Sequence, residues 1–333
     1  MVPSREIRLK SRPTGALSAA NFDLATVQVP EPGAGEVQVR NHWMSVDPYM
    51  RPRMNDVKSY VPPYEVGKPL DGGAVGEVIA SRDPKFAKGD LVQSGLGWRE
   101  VFNAPASTLR KLETRGLPPQ TFLGVAGMPG LTAYVGLMKI AALRPNDVVF
   151  VSGAAGAVGQ VACQIAKIKG HKVIGSAGGP EKVAWLKEIG VDEVIDYKAE
   201  KSIRQALARA APDGIDVFFD NVGAEHLEAA LAMSKTFARF VLCGAISQYD
   251  TAEQPAGVRN MAVMVPRRLR LEGFIVLDHA DQNQPFFRDM TEWLTSGRIK
   301  WQETVEVGLE NAPTALMNLF KGANLGKMLV KLA

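Results

Sequence analysis

Over the first third of the chain, hydrophobic and polar residues alternate only in short stretches. Val37 and Val39 are interleaved with Gln38 and Arg40, a period of two that predicts a strand. A glycine-marked run over 72–79 and short apolar runs over 89–92 and 98–102 predict further strands. Prolines at 30, 32, 48, 52, 62, 63 and 69 forbid long helices here. Several short strands at close spacing predict a small barrel or sandwich.

The period changes near Pro129-Gly130. Leu131, Tyr134, Val135, Met138 and Ala142 fall three to four residues apart, as on one face of a helix. Strands and helices then alternate. The pattern predicts strands over 147–152, 172–176, 193–196, 216–220, 237–243 and 269–276. It predicts helices over 158–169, from Pro180 to a stop at Gly190, and near 201–211 and 224–233. Such alternation means a parallel sheet with helices on both faces. The tail reads as a strand over 299–307, a helix near 311–320 and a strand over 327–332. The pattern leaves open which unit this tail completes.

Composition adds boundaries. A chain of 333 residues suggests two domains, and 46% hydrophobic with 22% charged residues is an ordinary globular balance. No apolar run is long enough to cross a bilayer and the start lacks a signal-peptide core, so cytoplasm is the default expectation. The net charge of +4 is spread over 39 basic and 35 acidic residues, too mixed to argue for nucleic acid. The densest basic run, Arg267-Arg268-Leu269-Arg270, reads as a solvated strand entry. The run over 261–265 reads as core or interface rather than substrate wall.

The strongest chemical motif is Ala154-Ala155-Gly156-Ala157-Val158-Gly159, where a strand feeds a glycine turn that opens a helix. It is a dinucleotide fingerprint with its first glycine replaced by Ala154. Gly156 lets the backbone approach a pyrophosphate, and Gly159 lets helix and strand pack closely. An NAD site usually places an acid about 20 residues further on to hold the ribose diol. Here Gly175-Ser176-Ala177-Gly178-Gly179 carries none, and Lys182 follows one helical step on. An ammonium beside a missing acid suits a 2′-phosphate and favours NADPH. The competing reading makes Lys182 an ordinary surface helix residue.

Two cysteines, Cys163 and Cys243, and four histidines form no cysteine–histidine pair at ligand spacing, so no metal is expected. His42 reads as a barrel residue and Cys163 as a buried helix residue.

Together these residues resemble the zinc-free medium-chain dehydrogenases/reductases, in particular the prostaglandin reductase, leukotriene hydroxydehydrogenase and alkenal double-bond reductase group, nearest to bacterial curcumin reductases. The resemblance spans essentially the whole chain. It is carried by Val46-Asp47-Pro48-Tyr49-Met50-Arg51, Gly127-Met128-Pro129-Gly130, the glycine turn, Glu181-Lys182-Val183, Asp196-Tyr197-Lys198, Asp220-Asn221-Val222-Gly223, Cys243-Gly244-Ala245-Ile246-Ser247-Gln248-Tyr249, Glu272-Gly273-Phe274-Ile275-Val276 and Asn324-Leu325-Gly326-Lys327. Where zinc-dependent relatives carry a metal-binding cysteine, this chain has Val46-Asp47-Pro48.

The resemblance implies an α/β fold: a GroES-like β-barrel domain over 1–125, completed by 298–333, and a Rossmann doubly wound parallel-sheet domain over 126–297. It implies NADPH-dependent reduction of the carbon–carbon double bond of enals and enones in the cleft between them, and a homodimer continued through the strand over 269–276. Matched positions put Lys182 and Tyr197 at the 2′-phosphate and Gly156, Ala157, Val158 and Gly159 at the pyrophosphate. Asn221, Cys243, Gly244, Ala245, Ile246, Ser247 and Tyr249 run along the cofactor, with Phe274, Ile275, Val276 and Asn324 near the nicotinamide.

Conjugate reduction builds charge on the carbonyl oxygen, so it needs a hydrogen-bond donor there and a proton for the α-carbon. A neutral tyrosine suits both tasks. Tyr249, after a parallel-strand carboxyl end, ranks first, with Tyr49 and Tyr64 beside the substrate. In the competing reading Tyr249 shapes the pocket or holds ribose, and solvent or a ribose hydroxyl donates. Loops over 49–64 and 249–265 set the pocket's breadth. The same residues also admit a quinone oxidoreductase on this fold, or a non-catalytic NADPH-binding sensor or structural protein.

Overall fold

A computed structural model of the chain describes residues 1–251 and 257–332. Of the 249–265 loop, 252–256 lie outside the described residues, as does Ala333 of the tail.

The first part of the chain is strand and turn, as its prolines require. Strands β1 (Val2–Leu9) and β2 (Phe22–Val29) pair as an antiparallel ribbon. β3 (Glu36–Ser45), β4 (Ala74–Ser81), β5 (Leu91–Ser94), β6 (Val101–Pro105) and β7 (Arg110–Lys111) belong to a seven-stranded sheet. Its other two strands come from the tail: β14 (Glu303–Val307) and β15 (Lys327–Lys331). The ladder runs β14-β15-β3-β4-β5-β7, with β6 also on β3. Among the described residues no pairing joins its two ends, so the expected barrel is not closed by hydrogen bonds. The simple alternation over 37–40 also fails in detail. Gln38 is buried, its amide donating to Pro30 C=O and Asn103 Oδ1.

Helix α1 (Met128–Val135) continues through a π-helical turn, Gly136–Ile140. Ala142 then takes a positive φ of 47° and ends the expected helix early. Next come β8 (Val148–Val151), α2 (Gly159–Ile168), β9 (Lys172–Ala177), α3 (Pro180–Glu188), β10 (Glu193–Asp196), α4 (Ile203–Ala210), β11 (Ile215–Asp220), α5 (Ala224–Ala232), β12 (Ser234–Leu242), α6 (Met264–Arg267) and β13 (Arg270–Gly273). The six strands form a parallel sheet in the order β10-β9-β8-β11-β12-β13. Alternate residues feed two cores. Phe150, Ile174, Phe218 and Phe240 pack with α4 and α5, while Val149, Val173, Phe219 and Val241 pack with α1, α2 and α7 (Asn283–Thr295). This is the doubly wound arrangement expected from the βα alternation.

Two sequence expectations need correction. β13 stops at Gly273, so Phe274, Ile275 and Val276 leave the sheet and line the cleft below. The basic run is not simply solvated: Arg267 donates to Leu231 and Ala232 C=O at the end of α5, and Arg270 to Ile140 C=O. A cation there offsets the negative helix end. Within the 261–265 run, Val263 and Met264 pack against the core while Met261 and Val265 are exposed, so both halves of the core-or-interface expectation stay open.

The tail ties the two sheets together. β15 pairs with β3, and Gly326 N–H donates to Ala155 C=O in the glycine turn at 2.8 Å. Gln160 and Gln164, both buried in α2, extend this seam. Gln160 Oε1 accepts from Gln302 N–H at 3.0 Å, and Gln164 exchanges two bonds of 2.8 Å with the Lys300 backbone. These amides occupy the backbone of 300–302, which explains why β14 begins at Glu303 rather than near 299. Helix α8 (Ala312–Phe320) closes the apolar side of this tail.

Candidate active site

A cleft of about 900 Å³ opens at the carboxyl ends of the parallel strands, against the turns after β3 and the loop over 321–326. Its floor is the glycine turn. A Cβ on Gly159 would sit 2.3 Å from Gly153 O and 2.7 Å from Ala154 Cα, so only glycine lets α2 start this close to the turn. In the first turn of α2, Gln160 N–H already donates to Gly156 C=O and Val161 and Ala162 N–H to Val158 C=O, while Gly159 N–H has no described acceptor. That N–H and the positive helix end suit a pyrophosphate.

At the end of β9 a Cβ on Gly178 would overlap the Tyr197 ring at 2.7 Å and Lys198 Cε at 2.9 Å. The glycine therefore lets Tyr197 and Lys198 close over the strand end. Lys182 reaches the same corner. Its ammonium donates to Gly322 C=O at 2.7 Å, and burial followed by the Lys198 charge holds its pKa below the ordinary lysine value. Two adjacent cations favour a phosphate, whose negative charge they answer, over a neutral ribose diol.

Beneath them His226 Nε2 and Ser176 Oγ lie 2.9 Å apart, and Tyr197 packs edge-on against the imidazole. Burial lowers the His226 pKa to about 4, leaving it neutral at pH 7.

Asp220 organises the next loop. Its Oδ1 accepts from Ser152 Oγ–H and from Val222 and Gly223 N–H, while burial raises its pKa. Asn221 donates its amide to Ser152 C=O at 2.7 Å. Ile246 and Ser247 N–H donate back to Asn221 and Val222 C=O. The Cys243 thiol is pushed up to about 12 by burial and by Asp220, so it is a neutral wall group and not a nucleophile.

Tyr249 is half-buried in the cleft wall. Its phenol oxygen accepts from Ala245 N–H at 3.0 Å, leaving the O–H free to donate, and burial raises its pKa. Tyr49 lines the opposite wall, its pKa also raised chiefly by burial.

Tyr64 does not join them. It is buried below the wall, donates to Asp71 C=O at 2.7 Å, and carries the Arg53 guanidinium 4.0 Å from its ring centroid. The loop tyrosine that lines the cleft with Tyr49 is the exposed Tyr60, beside Val61. The remaining cofactor candidates, Ala157, Val158, Gly244 and Asn324, border the cleft, while Ala245 contributes its N–H to Tyr249.

Sequence reasoning also missed Lys327. Its buried ammonium bonds Val46 C=O at 2.8 Å and Met328 C=O at 2.7 Å and lies 3.2 Å from Asp47 Oδ1. Asp47 also accepts from Ser45 Oγ. The signal was a lysine opening the apolar run Met328-Leu329-Val330. Among the described residues no group of three or more His, Cys, Asp or Glu is arranged to hold a metal.

A nucleotide-type parallel sheet joined to a mainly antiparallel sheet, with the cleft between them, defines a dinucleotide-dependent oxidoreductase scaffold. Residues 5–112 match the family model described as the N-terminal domain of oxidoreductase, and 157–296 that described as zinc-binding dehydrogenase. The chain belongs to the medium-chain dehydrogenase/reductase family, in the branch of the alkenal and curcumin reductases. It is 41% identical to the NADP(+)-dependent 2-alkenal reductase of Nicotiana tabacum, over 99% of this chain and 97% of that protein. It is 39% identical to the NADPH-dependent curcumin reductase of Escherichia coli, over 98% and 96%. The crystal structure of CurA from Vibrio vulnificus in complex with NADPH superposes with a TM-score of 0.94 at 40% identity, covering 99% of both chains. Quinone oxidoreductase structures at 21–23% identity share the fold.

Proposed function

We propose that this protein is an NADPH-dependent reductase of the carbon–carbon double bond of α,β-unsaturated aldehydes and ketones. One observation carries the reading: a glycine turn, the phosphate-suited Lys182 and a tyrosine with a free O–H line a single cleft. The 2-alkenal and curcumin reductase relatives support it.

We read 1–125 with 298–333 as the substrate domain and 126–297 as the cofactor domain. Gly156, Ala157, Val158 and Gly159 would hold the pyrophosphate, and Lys182 and Tyr197 the 2′-phosphate. Asn221 and the 243–249 loop would flank the dinucleotide, with Phe274, Ile275, Val276 and Asn324 at its nicotinamide end. NADPH would supply a hydride for the β-carbon of the alkene, and a proton from Tyr249 or solvent would complete the α-carbon. Tyr249 then steadies the carbonyl oxygen as it gains charge, because its oxygen already accepts from Ala245 N–H and its proton is free. Tyr49 bounds the acceptor from the other side.

With an enone and NADPH, the expected product by NMR and mass spectrometry is the saturated carbonyl. An allylic alcohol would overturn the reaction class, and faster turnover of quinones than of enones would favour the quinone reading. Tyr249→Phe should lower kcat roughly tenfold to a hundredfold, less than a sole oxyanion donor, since water or ribose can share the duty. Unchanged turnover would move that role to Tyr49 or solvent.

We also infer a homodimer. β13 has a ladder partner on one side only among the described residues, and Val265, Leu277, Phe237 and Met261 are exposed nearby in sequence or sheet. Such an edge is normally covered. Light scattering at micromolar protein should give twice the chain mass; a strict monomer would remove the interface. Reliance on the reduced NADPH pool fits a cytoplasmic enzyme, and no helix among the described residues is long and apolar enough to cross a membrane.

A further inference from the structure

The residue after Tyr249 leaves the parallel-sheet unit and grips the other one. Asp250 Oδ1 accepts from Arg51 Nε–H at 2.9 Å and from Leu17 N–H at 2.8 Å. All three Arg51 nitrogens are engaged: besides Nε, Nη1 donates to Asn55 Oδ1 and Nη2 to Gly15 C=O, both at 2.8 Å. The two side chains are 4% and 13% exposed. A screened surface ion pair contributes little, but a pair this buried, with further bonds to Asn55, Gly15 and Leu17, restricts where its two side chains can sit.

Its place in the chain gives it consequence. Arg51 lies two residues after Tyr49 and Asp250 one after Tyr249, so the pair spans from one cleft wall to the other. The loop carrying Tyr249 is held at its start by Cys243 and Gly244 N–H on Asp220 C=O. Ile246 and Ser247 N–H and the Ser247 hydroxyl tie its middle to Asn221 and Val222 C=O, and Asp250 holds its far end. Between these holds the phenol makes a single described hydrogen bond, from Ala245 N–H.

We propose that Arg51 and Asp250 are positioning residues: a buried ion pair across the cleft that fixes Tyr249, and with it the spacing of the two tyrosine walls. The catalytic part of this proposal rests on the reading of Tyr249 as the donor to substrate; the mechanical part does not.

The test separates them. Hydrogen–deuterium exchange of the 243–249 segment in the full-length protein should quicken about tenfold or more in Asp250→Ala. It should quicken less in Asp250→Asn, which keeps an acceptor oxygen, and in Arg51→Lys, which keeps the charge. Unchanged exchange in Asp250→Ala overturns the proposal.

Enone turnover at saturating NADPH gives the second readout. Asp250→Ala should lower kcat about tenfold, with the Kd for NADPH changed less than twofold. In a Tyr249→Phe background the same substitution should cost less than twofold, since the group it positions is gone. An equal loss in both backgrounds overturns the assignment to Tyr249. If Tyr249→Phe alone leaves turnover intact, the donor reading fails, while the exchange measurement still decides whether the pair holds the loop.

Discussion

Replacing Lys327 by Met should destabilise the protein by about 3–5 kcal/mol, the usual cost of removing one partner of a buried ion pair. Lys327 is only 2% exposed and its ammonium answers three oxygens at once. Burial lowers its pKa, and the Asp47 carboxylate at 3.2 Å acts in the opposite direction. Methionine fills the volume but strands Asp47, with Ser45 as its remaining side-chain donor. Denaturant unfolding should show the loss as a lower midpoint at constant m. Adding Asp47→Asn should return part of it, since a neutral pair leaves no uncompensated charge. A loss below about 1 kcal/mol would mean the pair is not holding this wall.

Lys182→Ala should raise the KM for NADPH roughly tenfold to a hundredfold, the worth of a charge-assisted bond to a phosphate in a partly desolvated corner. The KM for NADH should stay within about twofold, since NADH presents no phosphate there. This contrast guards against a trivial explanation. The substitution also removes the bond to Gly322 C=O, and a general loosening of the 321–326 loop would weaken both cofactors alike. Equal use of the two cofactors by the unmutated protein would sink the assignment.

The parallel sheet was legible because its information is local. Each strand, turn and helix carries its own period and its own stop, and the glycine turn declares where the first helix begins. Even β10 is readable from four residues, 193–196, between turn signals. What could not be read depends on partners distant in sequence. Nothing near Tyr64 announces that its hydroxyl is committed to the Asp71 carbonyl, while Tyr60 four residues earlier faces the cleft. Lys327 and Arg51 are charged residues whose burial is specified by Asp47 and by Asp250, and charge alone normally signals surface. The tail was ambiguous because it serves both units: β15 completes the sheet begun by β3, while Gly326 and residues 300–302 are bound to the glycine turn and α2. The strand forecast over 269–276 overran since Phe274, Ile275 and Val276 are as apolar as sheet residues but are used to wall the cleft.

The pairing of β15 with β3 also sets a schedule for synthesis. The ladder joins Ser45 to Leu329, so β3 leaves the ribosome roughly 280 residues ahead of its neighbour, on the order of 15–60 s at about 5–20 residues per second. During that interval β4 and β6 can cover β3 along most of its length, but the edge around Trp43–Ser45 has no permanent partner. The parallel sheet, whose strands all lie between 148 and 273, can assemble in the meantime and present α2 and its two glutamines. The last segment to emerge would then dock onto a finished surface, with Gln160 and Gln164 receiving residues 300–302 before β15 fills the waiting edge. In this order the nucleotide-type half acts as an internal template for the half translated before it.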